Sequence, residues 1–398
     1  MQTTKPLNIL YHHRTQGRGA EGVHIMSIVN ALQDLGHNVT VLSPPGVDPH
    51  STAGNAPVDK SDVKTSGINR LWKLLSKHTP NFIFEMAEIF YNILASKRLE
   101  NELSKKSYDI IYERYAFYMI AGSLKAKKYK IPFVLEANEV NGIKNRARKQ
   151  SMPWLCSKFE KVLFKNCTSI LTVSSYLKGM IEQKGVDSHK VMIAPNAIDP
   201  NKFSGKIVEN DLIDKYNLSD TTVLGFAGWF DDWDRLDLLI DIFARLKNNQ
   251  RKIKLLLVGD GAVLDQVRQK AKEYNIEDDV IMTGPVTRDV VHQYLSLLDI
   301  AVITHSNEFG SPVVMFEFMG LQIPIIAPDL MPITDVLSDN VNSLIFDVLD
   351  MDMLEGKLVS LITDIELQNK LATNAYSKLM NEHTWKNNAQ QIIASSGI

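Results

Sequence analysis

Apolar residues along this chain come in short unbroken runs, separated by longer stretches in which they recur every three or four positions. Runs of that length fit buried strands, and the longer recurrence fits helices with one face on a core. The pattern opens with a strand over Leu7–Tyr11, a loop over His12–Glu21, a helix over Gly22–Leu35 and a strand over His37–Ser43. Ile25, Ile28, Val29 and Leu32 carry the helical period, and Gly36 stands where a left-handed cap would end it. Residues 44–68 are rich in Pro, Gly, Ser, Asp and Thr and predict a long loop. Residues 69–106 predict helix with a polar break near His78–Asn81. Strands are expected at Asp109–Tyr112, Phe133–Glu136, Ser169–Val173 and Lys190–Ala194, with a basic helical stretch before the third and a helix over Ser175–Lys184 before the last.

A turn-rich stretch from Pro195 to Phe203 interrupts this pattern, which then starts again. Strands are predicted at Val223–Gly228, Lys254–Gly259, Val280–Gly284, Asp299–Thr304, Ile323–Ala327 and Ser343–Phe346. Helices are predicted over Leu236–Lys247, Ala262–Tyr274 and Arg288–Leu298, after Pro312, and from residue 347 to the end. Strands alternating with helices make parallel sheets, so the expected class is α/β with two Rossmann-like domains whose sheets face an interdomain cleft. The expected domains are 1–200 and 201–380, with residues 381–398 forming a helix that packs back on the first.

Length and composition agree with this division. A chain of 398 residues fits roughly two or three domains. With 44 Lys and Arg against 46 Asp and Glu, the net charge of −2 argues against a dedicated nucleic-acid binder. Cys156 and Cys167 are too few for a disulfide framework and lack zinc spacing. Residues 1–6 are polar and the apolar run after them is short, so no signal peptide is expected. No run approaches the ~18 apolar residues of a spanning helix. The expected location is cytoplasmic, with peripheral contact at the inner face of the cell membrane.

The stretch with the most chemistry is Asn307–Pro324, N-E-F-G-S-P-V-V-M-F-E-F-M-G-L-Q-I-P. A buried strand, a Gly-Ser-Pro turn and a helix start together favour an anion, because unpaired N–H groups and the helix dipole point at it. Glu317, in the first turns of that helix, suits neighbouring hydroxyls such as those of a ribose. A nucleoside diphosphate or its sugar is the ligand this pattern predicts.

Four segments, in order along nearly the whole chain, carry a family resemblance. They are G-R-G-A-E-G-V-H with G-H-N-V-T-V-L, then I-A-P-N-A-I-D-P-N-K-F, then F-A-G-W-F-D-D-W-D-R-L-D-L-L-I, and finally E-F-G-S-P-V-V-M-F-E-F-M-G-L-Q-I-P-I-I-A. Together they resemble the GT-B retaining glycosyltransferases of family four, within which L-E-A-N-E and Y-E-R-Y are similar to members of bacterial exopolysaccharide or surface-glycan synthesis. The resemblance implies transfer of a sugar from a nucleoside diphosphate sugar to a glycan or polyprenyl-linked acceptor, with retention and without metal or cofactor. A UDP-sugar is favoured over a GDP-sugar as co-substrate. A nucleotide-sugar epimerase of the same architecture and a weakly active or silent binding homologue are the alternatives.

On this resemblance Glu317 matches the second Glu of the family's E-x7-E motif and would accept from the ribose. The first Glu would fall on Phe309, and the nearest carboxylate is Glu308, a donor-sugar contact in relatives with a G-S-P turn. Phe309, Gly310 and Ser311 would offer backbone N–H groups to the sugar and diphosphate. Gly228, Pro285 and Val286 would lie at the donor, the last two beside the base. The family's diphosphate clamp, G-R-L-x-x-x-K-G, is replaced: Trp229 stands for the Arg and Asp234 for the Lys, and Val314 occupies a further position that is often Lys. Arg235, one residue late, either turns in to the diphosphate or is a surface Arg at a helix start. Arg14 and Arg18 are the other cations within sequence reach.

In the first half, Gly17, Gly19 and Gly22 form the loop that in the family covers the diphosphate. Asn138 stands where many members have a His near the sugar's C6 hydroxyl. Glu136 beside it is a candidate catalytic carboxylate or a strand-end cap. Glu113 and Arg114 are a second strand-end pair, and Asn196 is expected to order the interdomain turn. His12, His13 and His24 are close in sequence without metal-site spacing. Lys144–Lys165 mixes cations with Trp154, Leu155, Phe159, Leu163 and Phe164, and Trp72–Ala95 is also rich in aromatics. Each fits either a core helix with a solvated face or contact with an anionic membrane.

Overall fold

The computed structural model describes residues 5–16, 19–49, 81–144, 150–203, 205–206, 209–248 and 252–398. Apolar runs become strands as predicted. β1 (Asn8–His12), β2 (Asn38–Leu42), β3 (Ile110–Arg114), β4 (Phe133–Ala137), β5 (Ser169–Thr172) and β6 (Val191–Ile193) form a parallel sheet of order β2-β1-β3-β4-β5-β6. β7 (Thr222–Trp229), β8 (Ile253–Asp260), β9 (Val280–Met282), β10 (Ile300–Val302), β11 (Ile325–Pro328) and β12 (Leu344–Phe346) form a second parallel sheet, β12-β11-β10-β7-β8-β9. All residues of β4, β5 and β11 are buried. That is why these strands read as continuous apolar runs: a parallel sheet is covered on both faces.

The first sheet is accompanied by α1 (Gly19–Asp34), α2 (Asn81–Lys105), α3 (Ala121–Tyr129), α4 (Pro153–Asn166) and α5 (Ser175–Glu182). The second has α6 (Asn210–Tyr216), α7 (Leu236–Asn248), α8 (Leu264–Glu273), α9 (Val291–Leu295), α10 (Val313–Gly320), α11 (Met331–Thr334), α12 (Met351–Thr363) and α13 (Ile365–Glu382), and α14 (Trp385–Ser395) starts after it and runs into the first unit. The chain divides into two compact units, Met1–Ala194 with Asn388–Ile398, and Pro195–Asn387. In the second unit α10 supplies Met315, Phe316, Phe318 and Met319, all fully buried in one apolar cluster with Ala301, Ile303, Ile325 and Leu379. Each such side chain stabilises the fold by about 1.5–3 kcal/mol relative to exposure.

Strand order fixes where each unit can bind. In the first sheet the connections reverse direction between β1 and β3, and in the second between β7 and β10. The loops beyond the carboxyl ends of such strand pairs diverge and leave a crevice, the usual ligand position in open α/β sheets.

Several elements differ from the sequence expectation. α1 begins at Gly19, ahead of the predicted Gly22, and α9 starts at Val291 rather than Arg288, which leaves Arg288 in a loop. α3 was not predicted, because its buried positions are the small Ala121, Gly122, Ser123 and Ala126. Gly122 needs its missing side chain: a Cβ there would lie 1.9 Å from Oε2 of Glu113. Gly17, Arg18, residues 145–149 of the basic stretch, and residues 50–80 with Trp72 lie outside the described residues.

Candidate functional site

The crevice of the second unit is built from the ends of β7 and β10 and the turn before α10. After β10 the chain turns at Asn307, whose Oδ1 accepts from the backbone N–H of Phe309 (3.2 Å) and Gly310 (2.5 Å). Those two donors, expected to face a ligand, are therefore engaged by the turn itself. A Cβ on Gly310 would come within 2.9 Å of the same Oδ1, so glycine permits this closure. The buried Ser311 is tied to Asn196: its hydroxyl accepts from the Asn196 N–H (3.2 Å) and its carbonyl from Asn196 Nδ2 (2.7 Å). Asn196 thus orders the turn that starts α10. Pro312 is the N-cap of α10 and no side chain caps the helix, so its first N–H groups keep their electropositive character. Glu308 is exposed beside this turn.

Glu317 is 3% exposed, enclosed by its apolar helix neighbours. Burial raises its pKa, and Arg288 lowers it by less. The Arg288 Nη2 lies 2.6 Å from Oε1, yet Oε1 has no aligned hydrogen bond. The short distance makes this a strong charge contact at one oxygen. Oε1 keeps its capacity to accept from a ligand hydroxyl. Arg288 comes from the loop after β9 that also carries the exposed Pro285 and the half-buried Val286, so this loop sits against Glu317. The sequence reading missed Arg288 because it placed that residue in a helix.

The positions that replace the family's clamp are arranged differently from a clamp. Gly228 and Trp229 are the last two residues of β7, and Trp229 is 57% exposed. Asp234 is buried and accepts from the Asp231 N–H (2.9 Å) in a capping box, and burial pushes its carboxyl up to about 7. Arg235 donates twice to Asp237, at 2.9 Å each, and is held at the start of α7. The Trp233 carbonyl accepts from His305 Nδ1 at 2.9 Å, joining the loop after β7 to the end of β10. Two tryptophans, with Trp233 36% exposed, thus occupy the rim of this crevice.

In the first unit, β1, β3 and β4 end on a buried polar cluster. Glu136 accepts from Tyr11 Oη (3.1 Å), Tyr112 Oη (2.8 Å), Arg114 Nη1 (2.5 Å) and Asn138 Nδ2 (2.6 Å), and His24 Nε2 lies at 2.9 Å. Burial alone would raise its pKa, but Arg114 and His24 outweigh it and hold the carboxyl well below the usual range. Such a carboxylate is a weak base and a firm anchor. Asn138 is oriented by it, and Asn138 Oδ1 is buried without a partner. Beside this cluster His12 Nδ1 is 2.5 Å from Glu113 Oε2, and Glu113 Oε1 has no partner. His13 bonds Ser43 Oγ (2.8 Å), and burial lowers its pKa to about 4. Arg14 donates to Glu88 and to the Phe117 carbonyl, both at 3.0 Å, so it is engaged within the unit. Among the described residues no group of three or more His, Cys, Asp or Glu is placed to hold a metal.

Comparison with known proteins gives this geometry a context. Residues 21–202 match Glycosyltransferase Family 4, and residues 208–378 match Glycosyl transferases group 1. The chain is 25% identical over 244 residues to the lipopolysaccharide 1,2-N-acetylglucosaminetransferase of Salmonella typhimurium, covering 58% of this chain and 63% of the relative. It is 22% identical over 291 residues to the Escherichia coli UDP-Gal:alpha-D-GlcNAc-diphosphoundecaprenol alpha-1,3-galactosyltransferase, covering 70% and 72%. EpsF of Bacillus subtilis is 24% identical over 174 residues, 43% of this chain and 44% of the relative, so the match spans under two thirds of EpsF and of the Salmonella enzyme. Among solved structures, a glycosyltransferase from Rickettsia africae superposes with a TM-score of 0.74 at 15% identity, covering 98% of both chains. Anabaena Alr3699/HepE in complex with UDP superposes with a TM-score of 0.67 at 14% identity, covering 98% of this chain and 100% of that one. The fold is GT-B: two Rossmann-like halves, each with a six-stranded parallel sheet.

Proposed function

We propose that this chain, built of a glycosyltransferase family 4 domain followed by a group 1 domain in a GT-B fold, is a retaining, metal-independent glycosyltransferase. The donor is a UDP-sugar and the acceptor a glycan or polyprenyl-linked glycan in bacterial polysaccharide synthesis. The names of the Escherichia coli relative and of the UDP-bound Anabaena structure support that choice. The observation that carries the reading is Glu317, a buried carboxylate paired with Arg288 of the loop after β9 and set in α10 just past an uncapped helix start. A carboxylate oxygen has two lone pairs, so Glu317 can accept from a ribose hydroxyl beside Arg288.

In this reading the ribose hydroxyls donate to Glu317, and the diphosphate lies toward the α10 N-terminus, whose dipole stabilises its charge. The base rests by Pro285 and Val286. The acceptor oxygen attacks the anomeric carbon from the face the diphosphate leaves. The C–O bond to phosphate breaks with its electron pair going to the phosphate oxygen, which takes the acceptor's proton. No protein nucleophile is required, and positioning plus leaving-group stabilisation supply the rate. Glu308 would contact the donor sugar. In the first unit Glu136, with Arg114 and His24, holds Asn138 with its free Oδ1 toward a sugar hydroxyl.

A second reading, nucleotide-sugar binding without turnover, is favoured by one feature: Asp234 is used as a cap and Arg235 is held by Asp237, where a diphosphate clamp would be cationic. Incubation with a panel of nucleotide sugars and product analysis decides. Transfer to an acceptor supports the proposal, an epimerised nucleotide sugar would replace it with isomerisation, and binding with neither product would leave the silent reading.

A further inference from the structure

Over its first three turns α2 is amphipathic in the reverse sense: its inward side carries Glu85, Glu88 and Asn92, and only further along does it bury the apolar Ala95, Leu99 and Leu103. Glu85 is fully buried and accepts from the N–H groups of Ser151 (2.5 Å) and Met152 (2.8 Å) and from Tyr118 Oη (2.7 Å). Glu88 holds Arg14, and Asn92 Oδ1 accepts from the N–H groups of Ile120 (2.9 Å) and Ala121 (3.1 Å). Its outward positions are Phe82, Ile83, Met86, Phe90, Ile93 and Leu94, with Phe90 59% and Ile93 58% exposed. At 100° per residue these six fall within an arc of about 120°, a single stripe along the helix. A stripe of this kind normally faces a core.

The charges around the stripe have one sign. From Asn81 to Lys97 the exposed residues of α2 include no acid, and Lys97 closes the stripe. The Glu85 bonds set the start of α2 against the start of α4, where Trp154 is 61% exposed with Lys158 Nζ 5.0 Å over its ring. Lys161 and Lys165 continue the exposed face of α4, while the acid between them and Trp154, Glu160, is buried and paired with Lys184. Large exposed apolar side chains on α2, with the exposed lysines of α4 starting from the adjoining helix end, match a surface that is apolar beneath and anionic at its boundary. We propose that the outer face of α2, with Trp154 and the lysines of α4, docks the protein on an anionic lipid bilayer. Phe82, Ile83, Met86 and Phe90 enter the boundary between headgroups and acyl chains, and Lys158, Lys161 and Lys165 lie at the phosphates. Among the described residues no helix is long and apolar enough to cross a membrane, so the contact is peripheral. The inference goes beyond sugar transfer and does not depend on it, since it is read without turnover.

Vesicle flotation of the full chain tests it. The wild type should float with vesicles of phosphatidylcholine and phosphatidylglycerol and bind pure phosphatidylcholine at least about tenfold more weakly. Phe90→Glu with Ile93→Glu should abolish flotation on both, and the milder Phe90→Ser with Ile93→Ser should weaken it with the melting temperature unchanged, because both sites are exposed. Lys158→Glu with Lys161→Glu should remove the preference for the anionic lipid and leave the residual binding. The proposal is overturned if the wild type stays unbound on the anionic vesicles, or if both Phe90/Ile93 variants float like the wild type. It is overturned as well if light scattering shows a concentration-dependent dimer that Phe90→Ser with Ile93→Ser dissolves, which would assign the face to a second copy.

Discussion

Each unit has a buried carboxylate near the carboxyl end of its sheet, and the two are in opposite states. Glu136 is surrounded by Tyr11, Tyr112, Arg114, Asn138 and His24, and is held ionised far below its usual range. Among the described residues Glu317 has one cation, Arg288, beside it and a raised pKa. Saturation marks a group that organises the protein; under-satisfaction marks a group placed for something absent from the polypeptide. The sequence offers two similar glutamates in apolar surroundings, and only the count of donors separates them.

The contrast is sharpest in stability. Glu136→Ala should cost about 3–5 kcal/mol in urea unfolding, because it strands Arg114 and His24 beside an empty acceptor. The Glu136 contribution is present above the unfolded carboxylate value of 4.5 and is lost as pH falls toward its depressed folded value. Glu317 has the opposite sign: its raised folded pKa makes ionisation costly, so stability declines as pH rises through that value. Glu317→Ala should therefore leave the melting temperature unchanged or higher, while UDP affinity by calorimetry falls about a hundredfold, the loss of two hydrogen bonds to a charged acceptor. A Glu317→Ala protein that binds UDP like the wild type would end the assignment of the donor site.

Arg288 is the next lever. It favours the ionised form of Glu317, so in Arg288→Ala the fall of UDP affinity with acidification should begin at higher pH than in the wild type. Superimposable affinity–pH curves would show that Arg288 is only a neighbour. The smallest effect belongs to Asp234. With a folded value of about 7 against 3.8 for the free side chain, it takes up a proton on folding, and stability should fall as pH rises from 4 to 7. Asp234→Asn can still accept the Asp231 N–H and should flatten that fall by about 1–2 kcal/mol in pH-dependent urea titrations.

The sheets were legible because parallel strands are buried on both faces and appear as runs of apolar letters. α3 was not, since the side chains it buries, Ala121, Gly122, Ser123 and Ala126, carry almost no hydrophobic signal. The turn before α10 could be read from Gly310, Ser311 and Pro312. Its tie to Asn196 spans over a hundred residues and was visible only as an Asn expected to order a turn. Arg288 escaped because an exposed cation in a polar stretch looks like any other until its partner is known. The donors on Glu136 escaped for a related reason: Tyr11 and Tyr112 count as apolar in a hydropathy pattern, and their hydroxyls become donors only when β1 and β3 pair.

The Asn307 turn also bears on timing. Phe309 and Gly310 are fastened by the Asn307 side chain before any ligand arrives, and Ser311 is fastened by Asn196. A loop already closed on itself has little freedom left to surrender, so capture of a nucleotide there should proceed in one kinetic phase that rises linearly with ligand concentration, without a plateau from slow loop ordering. Replacing Asn307 with Ala would turn the same loop into a rate-limiting step.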